Sequence, residues 1–227
     1  DWIAARIFVA ARESKLTVTQ TGMHRVFLLS PAYAGGERAR LLMRNTAEFD
    51  LARRLRGPNR VTVGEVFAFL SGLYFRGKIA YANAFARPAR GMSGVLVITP
   101  TRGLIDAATP IELDDLREFA EVNIDENDPR YRLPLERDAL KLAMQLKNRG
   151  DAVLLGSLAT GKYVGVLLKI LGQRLRFPVD FVGRGDLSRG GLLLRCAADA
   201  RELDYIAVEG AIRKGKRPPK LEPRRNA

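Results

Sequence analysis

The chain has 227 residues, 47% hydrophobic and 28% charged, with a formal net charge of +13. That length and apolar content suit one sizeable core and exclude a disordered chain, while no apolar run reaches the ~18 residues that span a bilayer. A single cysteine (Cys196) and a single histidine (His24) exclude an intrachain disulfide and a His/Cys zinc site.

The residues before Met23 (DWIAARIFVAARES and on) lack the basic lead and apolar stretch of a secretory signal, so a reducing, cytoplasmic setting is expected. Met23 reads as the natural start of the domain, with 1–22 an upstream extension. The first strand is Arg25–Leu29, with His24 a solvated edge residue at its start. It runs into SPAYAGG, followed by short helices at Glu37–Met43 and Ala47–Leu55. Gly57-Pro58-Asn59 is a loop. In Val63–Phe85 the residues Phe67, Leu70, Tyr74, Lys78 and Tyr81 fall at helical spacing, and Gly72 and Gly77 are expected to interrupt the helix. Val95–Ile98 is a strand leading into TPTRGLI. Helices follow at Glu112–Glu121, opened by Thr109-Pro110, and at Pro134–Lys147, where Leu135, Ala139, Leu142 and Leu146 share a face. The strand Ala152–Leu155 leads through GSLATGKY to a helix at Tyr163–Leu171. Phe177–Val182 is a fourth strand, GRGDLSRGG opens a helix over Leu192–Leu203, and Tyr205–Val208 is a candidate last strand.

Short apolar strands alternating with amphipathic helices predict a single-domain α/β fold over 23–212. Its sheet is mostly parallel, of about four to five strands, with helices on both faces. Ligands of such sheets bind beyond the carboxyl ends of the strands. The turns expected there supply the candidate anion or ligand residues: Ser30; Thr99, Thr101 and Arg102; Gly156, Ser157, Thr160, Gly161 and Lys162; Arg184, Asp186, Ser188 and Arg189. The interrupted helix adds Ser71, Tyr74, Arg76 and Lys78. A cleft lined jointly by Arg76, Arg102, Lys162 and Arg184 is the form a shared site would take.

Gly156, Gly161 and Lys162 have the GxxxxGK spacing of a phosphate-binding loop between strand and helix. Tyr163 stands where a Ser or Thr would hold magnesium, so simple anion binding at the helix start competes with an NTPase and with a plain structural turn. Asp186 or Ser188 would cap the following helix, or Arg184 and Arg189 would clamp a phosphate or carboxylate. No metal or cofactor is called for. The catalytic residues stay unassigned, because any reaction would fall to Asp/Glu, Lys, Tyr, Ser/Thr or backbone dipoles.

The charge divides unevenly. From Arg213 to Ala227 seven basic residues face one acidic residue, and Pro218, Pro219 and Pro223 bar a helix, so 213–227 is expected to be a disordered polycation. It reads either as a solubilising end or as a contact for nucleic acid or another acidic partner.

LLSPA (Leu28–Ala32) and FLSGLY (Phe69–Tyr74) resemble the two signature segments of the YaaA family of peroxide-stress proteins. LYFRGKIAYANAF followed by VLVITPTRGLID is similar to small domains allied to that family. The resemblance spans about Arg25–Asp106 and is expected to extend to the LLGSLATGKYV segment. It implies an intracellular α/β protein linked to DNA binding and oxidative-stress protection, with relatives beside nucleobase-modification systems. Where the family has a lysine after SPA this chain has Tyr33-Ala34, so that lysine's role does not transfer.

Three functions are compatible with these residues. The leading one is binding of nucleic acid or a nucleotide, with action on a base or nucleotide left open. The alternatives are an enzyme on a small phosphorylated metabolite using the same turns, and an NTPase.

Overall fold

The computed structural model describes residues 23–58, 61–147, 149–158, 161–211 and 215–222. The 1–22 extension, Thr160, Arg213, Lys214 and 223–227 lie outside the described residues.

The sheet has six strands in the order β4 (Gly103–Asp106), β3 (Val95–Thr99), β1 (His24–Leu29), β6 (Gly150–Leu155), β7 (Leu175–Pro178), β8 (Tyr205–Ala207). The inner four are parallel, and the edge strands β4 and β8 are antiparallel. The fold is therefore α/β as expected, with a wider sheet than the sequence suggested. The reason is local. Thr99 and Gly103 pair directly, so TPTRG is a tight hairpin turn and GLID returns as a strand. Val26–Leu29 and Val153–Leu155 are fully buried at consecutive positions, which happens only when both faces of a sheet are covered.

The remaining two strands, β2 (Val61–Thr62) and β5 (Pro110–Ile111), form a separate antiparallel ladder. Thr109-Pro110 thus ends in a strand and does not open a helix.

Eight helices stand among the described residues: α1 (Glu37–Met43), α2 (Asp50–Arg56), α3 (Val63–Ser71), α4 (Leu73–Phe85), α5 (Leu113–Glu121), α6 (Pro129–Leu146), α7 (Gly161–Leu171) and α8 (Asp186–Ala198). A capping box fixes the start of α3: Thr62 Oγ1 accepts from Glu65 N and Glu65 Oε2 accepts from Thr62 N. Gly72, at φ 63°, breaks the run between α3 and α4. Gly77 does not interrupt anything. It lies inside α4, where a Cβ would stand 2.6 Å from Gly190 O, and a Cβ on Gly190 would stand 2.8 Å from Leu73 O. The two glycines let α4 and α8 touch backbone to backbone.

On the other face, α6 packs against α7. It begins five residues earlier than periodicity indicated, because Asp128 caps it and Pro129 opens it, while Tyr131 anchors its first turn in the core. Residues 215–222, half of the basic tail, run without regular secondary structure. Leu221 packs on the core, and Gly183 and Gly215 make close contacts with Lys216 and Val182.

Candidate functional site

The parallel strands leave β1 in opposite directions: β3 lies on one side, β6 and β7 on the other. The chain therefore switches between β1 and β6, where strand ends splay and leave a crevice. Ser30 follows β1 there and Gly156 follows β6, and Ser30 N donates to Leu155 O across the gap. A Cβ on Gly156 would lie 2.8 Å from both Ser30 Cβ and Tyr163 Oη, so only glycine lets the two strand ends approach this closely.

A cleft of about 540 Å³ opens above this point. Ser30, Ser71, Tyr74, Lys78, Ser157 and Lys162 supply polar lining; Tyr33, Pro100, Phe119 and Ile124 supply an apolar wall, with Asn123, Asp125 and Asp186 at its polar margins. A larger depression, of about 630 Å³, lies on the opposite edge by the amino end of β3, lined by Thr62, Glu65, Arg76 and Asp106 among others. The smaller cleft is the better candidate, because it sits at the carboxyl edge and gathers several polar side chains on one point.

Lys78 is its central feature. The side chain rises from α4 through the core, 1% exposed, and Nζ reaches Ser30 O at 2.7 Å and Ser30 Oγ at 2.9 Å. Nζ also stands 4.5 Å from the Tyr74 ring centroid and 4.6 Å from that of Phe75. Burial pulls the Lys78 pKa down to about 7; Asp186 opposes the shift and Arg189 adds to it. Tyr74 is pushed above the ordinary tyrosine value, chiefly by burial, and its hydroxyl has no partner at hydrogen-bond geometry although the Arg189 guanidinium is near. Tyr163 is also raised by burial. Its hydroxyl accepts from Ser157 N and donates to Ser157 O, both at 2.9 Å.

This last pair corrects the phosphate-loop reading. The Ser157 N–H that would face a phosphate is taken by Tyr163 itself. The Glu126 carboxylate lies alongside Gly161 and Gly165, an internal anion beside the first turns of α7. Gly161 is a helix residue outside the cleft, and Lys162 projects, exposed, at the rim.

The expected group of four cations does not form. Arg76 is exposed and lines the opposite depression. Arg102 is bound by Asp115 at 2.5 Å and Glu118 at 2.8 Å, and Thr101 bonds Glu118 as well. Thr99 Oγ1 donates to Gly103 O and accepts from Arg102 N, which closes the hairpin. Arg184 donates to Asp180 O and Ser188 Oγ, and Arg189 donates to Phe181 O while its guanidinium covers the Phe181 ring. Neither arginine is a free clamp, and neither Asp186 nor Ser188 caps α8: Gly185 holds the cap position and Asp186 is the first helical residue. Of the sequence candidates, Ser30, Ser71, Tyr74, Lys78, Ser157, Lys162 and Asp186 meet at one cleft, with Gly156 beneath them.

Sequence reasoning missed Phe119 and the 122–125 segment, which follow a helix and so carry no strand-end signal. It also placed Lys78 at a helix interruption, when the residue sits mid-helix and points inward. Among the described residues no group of three His, Cys, Asp or Glu side chains is placed to hold a metal ion, and no helix is long and apolar enough to cross a membrane. No family model, curated protein or solved structure matches the chain.

Proposed function

We propose that the protein binds a nucleotide, either free or as a single unpaired unit of a nucleic-acid strand, in the cleft at the carboxyl edge between β1 and β6. The observation that carries this reading is the two-sided lining of a 540 Å³ cavity. One wall is apolar and partly aromatic (Tyr33, Phe119, Ile124), suited to the face of a base, with Asn123 beside it to read an edge. The other is hydroxyl-rich and carries the exposed Lys162 at its rim, suited to sugar and phosphate. The size falls within the roughly 300–1,000 Å³ of small-ligand sites and suits one nucleotide; a duplex would need a continuous cationic track.

The basic segment from Arg213 onward supports recruitment of nucleic acid, with half of it lying along α8 and the preceding turn. The resemblance of LLSPA and FLSGLY to the YaaA family points the same way. Both segments border this cleft, and the amine at the strand end is that of Lys78 from α4, while Tyr33-Ala34 occupies the family's lysine position.

The test is ligand-induced stabilisation. Nucleoside monophosphates and a short single-stranded oligonucleotide are expected to raise the melting temperature, since ligand at a hundredfold over Kd adds about 2.7 kcal/mol. Lys162→Ala is expected to weaken the effect without lowering the stability of the free protein, its side chain being exposed. If millimolar nucleotides and oligonucleotides leave the melting temperature unmoved, the reading fails.

A further inference from the structure

We propose that Ser30 and Lys78 are a nucleophile and its general base, and that the cleft performs acyl transfer to water on an ester or amide carbonyl carried by its ligand; this rests on the cleft being the ligand site. Ser30 Oγ and Lys78 Nζ are 2.9 Å apart, within the reach a base needs to take the hydroxyl proton. Among the described residues no carboxylate is hydrogen-bonded or ion-paired to Nζ. Its near contacts are the Ser30 oxygens and two aromatic faces, with the Asp186 and Arg189 charges acting from farther off; what favours the neutral amine is its complete removal from water, which outweighs the pull of the rings and of Asp186. Ser30 O accepts one N–H and fixes the amine, so a neutral Nζ turns its lone pair to the Ser30 hydroxyl. Tyr74, on the same cleft, carries a buried hydroxyl with no acceptor, and such a donor is available to a carbonyl oxygen that becomes negative. Lysine takes the general-base part that histidine fills in the commoner serine arrangement, and His24 lies at the far end of β1 from Ser30.

The step balances with water as the co-reactant. Ser30 Oγ bonds to the carbonyl carbon and its proton passes to Nζ. The C–O or C–N bond to the leaving group then breaks, and the departing alcohol or amine takes that proton. Water attacks the acyl-serine, giving its proton to Nζ, and the proton returns to Ser30 as the carboxylic acid leaves.

The experiment is covalent labelling of the full chain with a fluorophosphonate, read by intact mass and peptide mapping. Wild type is expected to gain one label, on Ser30, with a rate rising about tenfold per pH unit up to pH 7 and level above it. Ser30→Ala is expected to lose the label. Lys78→Met is expected to lose the pH dependence and at least a hundredfold in rate, with folding checked by circular dichroism. As a second variant, Ser30→Cys is expected to react with iodoacetamide faster than a free model thiol at pH 7. Absence of label on Ser30 at pH 8, or an ordinary thiol rate in Ser30→Cys, overturns the proposal. The two readings separate cleanly. Nucleotide stabilisation without labelling removes the chemistry and keeps the binding site, whereas labelling that nucleotides do not block keeps the chemistry and removes the nucleotide.

Discussion

Replacing Lys78 by methionine tests the physical state of the amine directly. Methionine keeps the length and apolar bulk of the stem and removes the ionisable head. In the unfolded chain that head titrates at the ordinary lysine value of 10.5; in the folded chain burial brings it to about 7. Between those two values the unfolded chain holds a proton that the folded chain has released. Wild-type stability therefore rises with pH across that window and is lowest below pH 7. At about 1.4 kcal/mol per pKa unit the whole difference is about 5 kcal/mol, of which about 2 kcal/mol accrues between pH 7 and pH 9. Methionine carries no such dependence, but it forfeits both bonds to Ser30, worth about 1–3 kcal/mol together. The variant is thus expected to be at least as stable as wild type at pH 7, and to lose about 2 kcal/mol relative to it by pH 9. Urea unfolding midpoints of both proteins at pH 7, 8 and 9, at fixed ionic strength, measure this. A stability difference that stays flat over that range would mean the amine is not desolvated as its surroundings imply.

Gly77→Ala is expected to destabilise by about 2–3 kcal/mol, because its Cβ meets the Gly190 carbonyl at 2.6 Å and only separation of α4 from α8 relieves the clash; thermal unfolding reports it. Glu202→Gln weakens the ion pairs that hold the buried Arg25 and the half-exposed Arg87. A loss of about 2–3 kcal/mol in chemical denaturation is expected, below the figure for a fully dry pair because Glu202 is partly exposed. Tyr163→Phe removes both bonds to the Ser157 backbone, and a loss of about 1–2 kcal/mol in thermal unfolding is expected. Arg102→Ala is expected to leave nucleotide affinity unchanged, since Asp115 and Glu118 hold the guanidinium away from the cleft.

Local patterning carried the strands and helices far, and failed where two distant segments had to meet. The apolar runs of β1 and β6, the glycine break at position 72 and the placement of Ser30 and Gly156 at the carboxyl ends of their strands all follow from side-chain period and turn chemistry. The hairpin at Thr99–Gly103 escaped notice because GLID has no polar alternation: its strand packs against α6, where Leu104 N donates to Asp138 Oδ2, 34 residues downstream. Cation-rich turns suggested a common anion site, yet charge in a sequence says nothing of its partners. Asp115, Glu118 and the carbonyls of Asp180 and Phe181 had already claimed Arg102, Arg184 and Arg189.

By itself, then, the sequence determined a mostly parallel α/β sheet with Ser30 and Gly156 at its carboxyl edge, because those depend on neighbours within a few residues. Only the tertiary structure decided which basic side chain is buried at the strand end. Contact between Gly77 and Gly190 draws α4 against α8, and Gly156 lets β6 close on β1; together these carry a lysine from mid-helix across the core to the hydroxyl of Ser30. Burial is a property of the assembled layers, and burial is what turns Lys78 from a surface charge into an amine that titrates near neutrality.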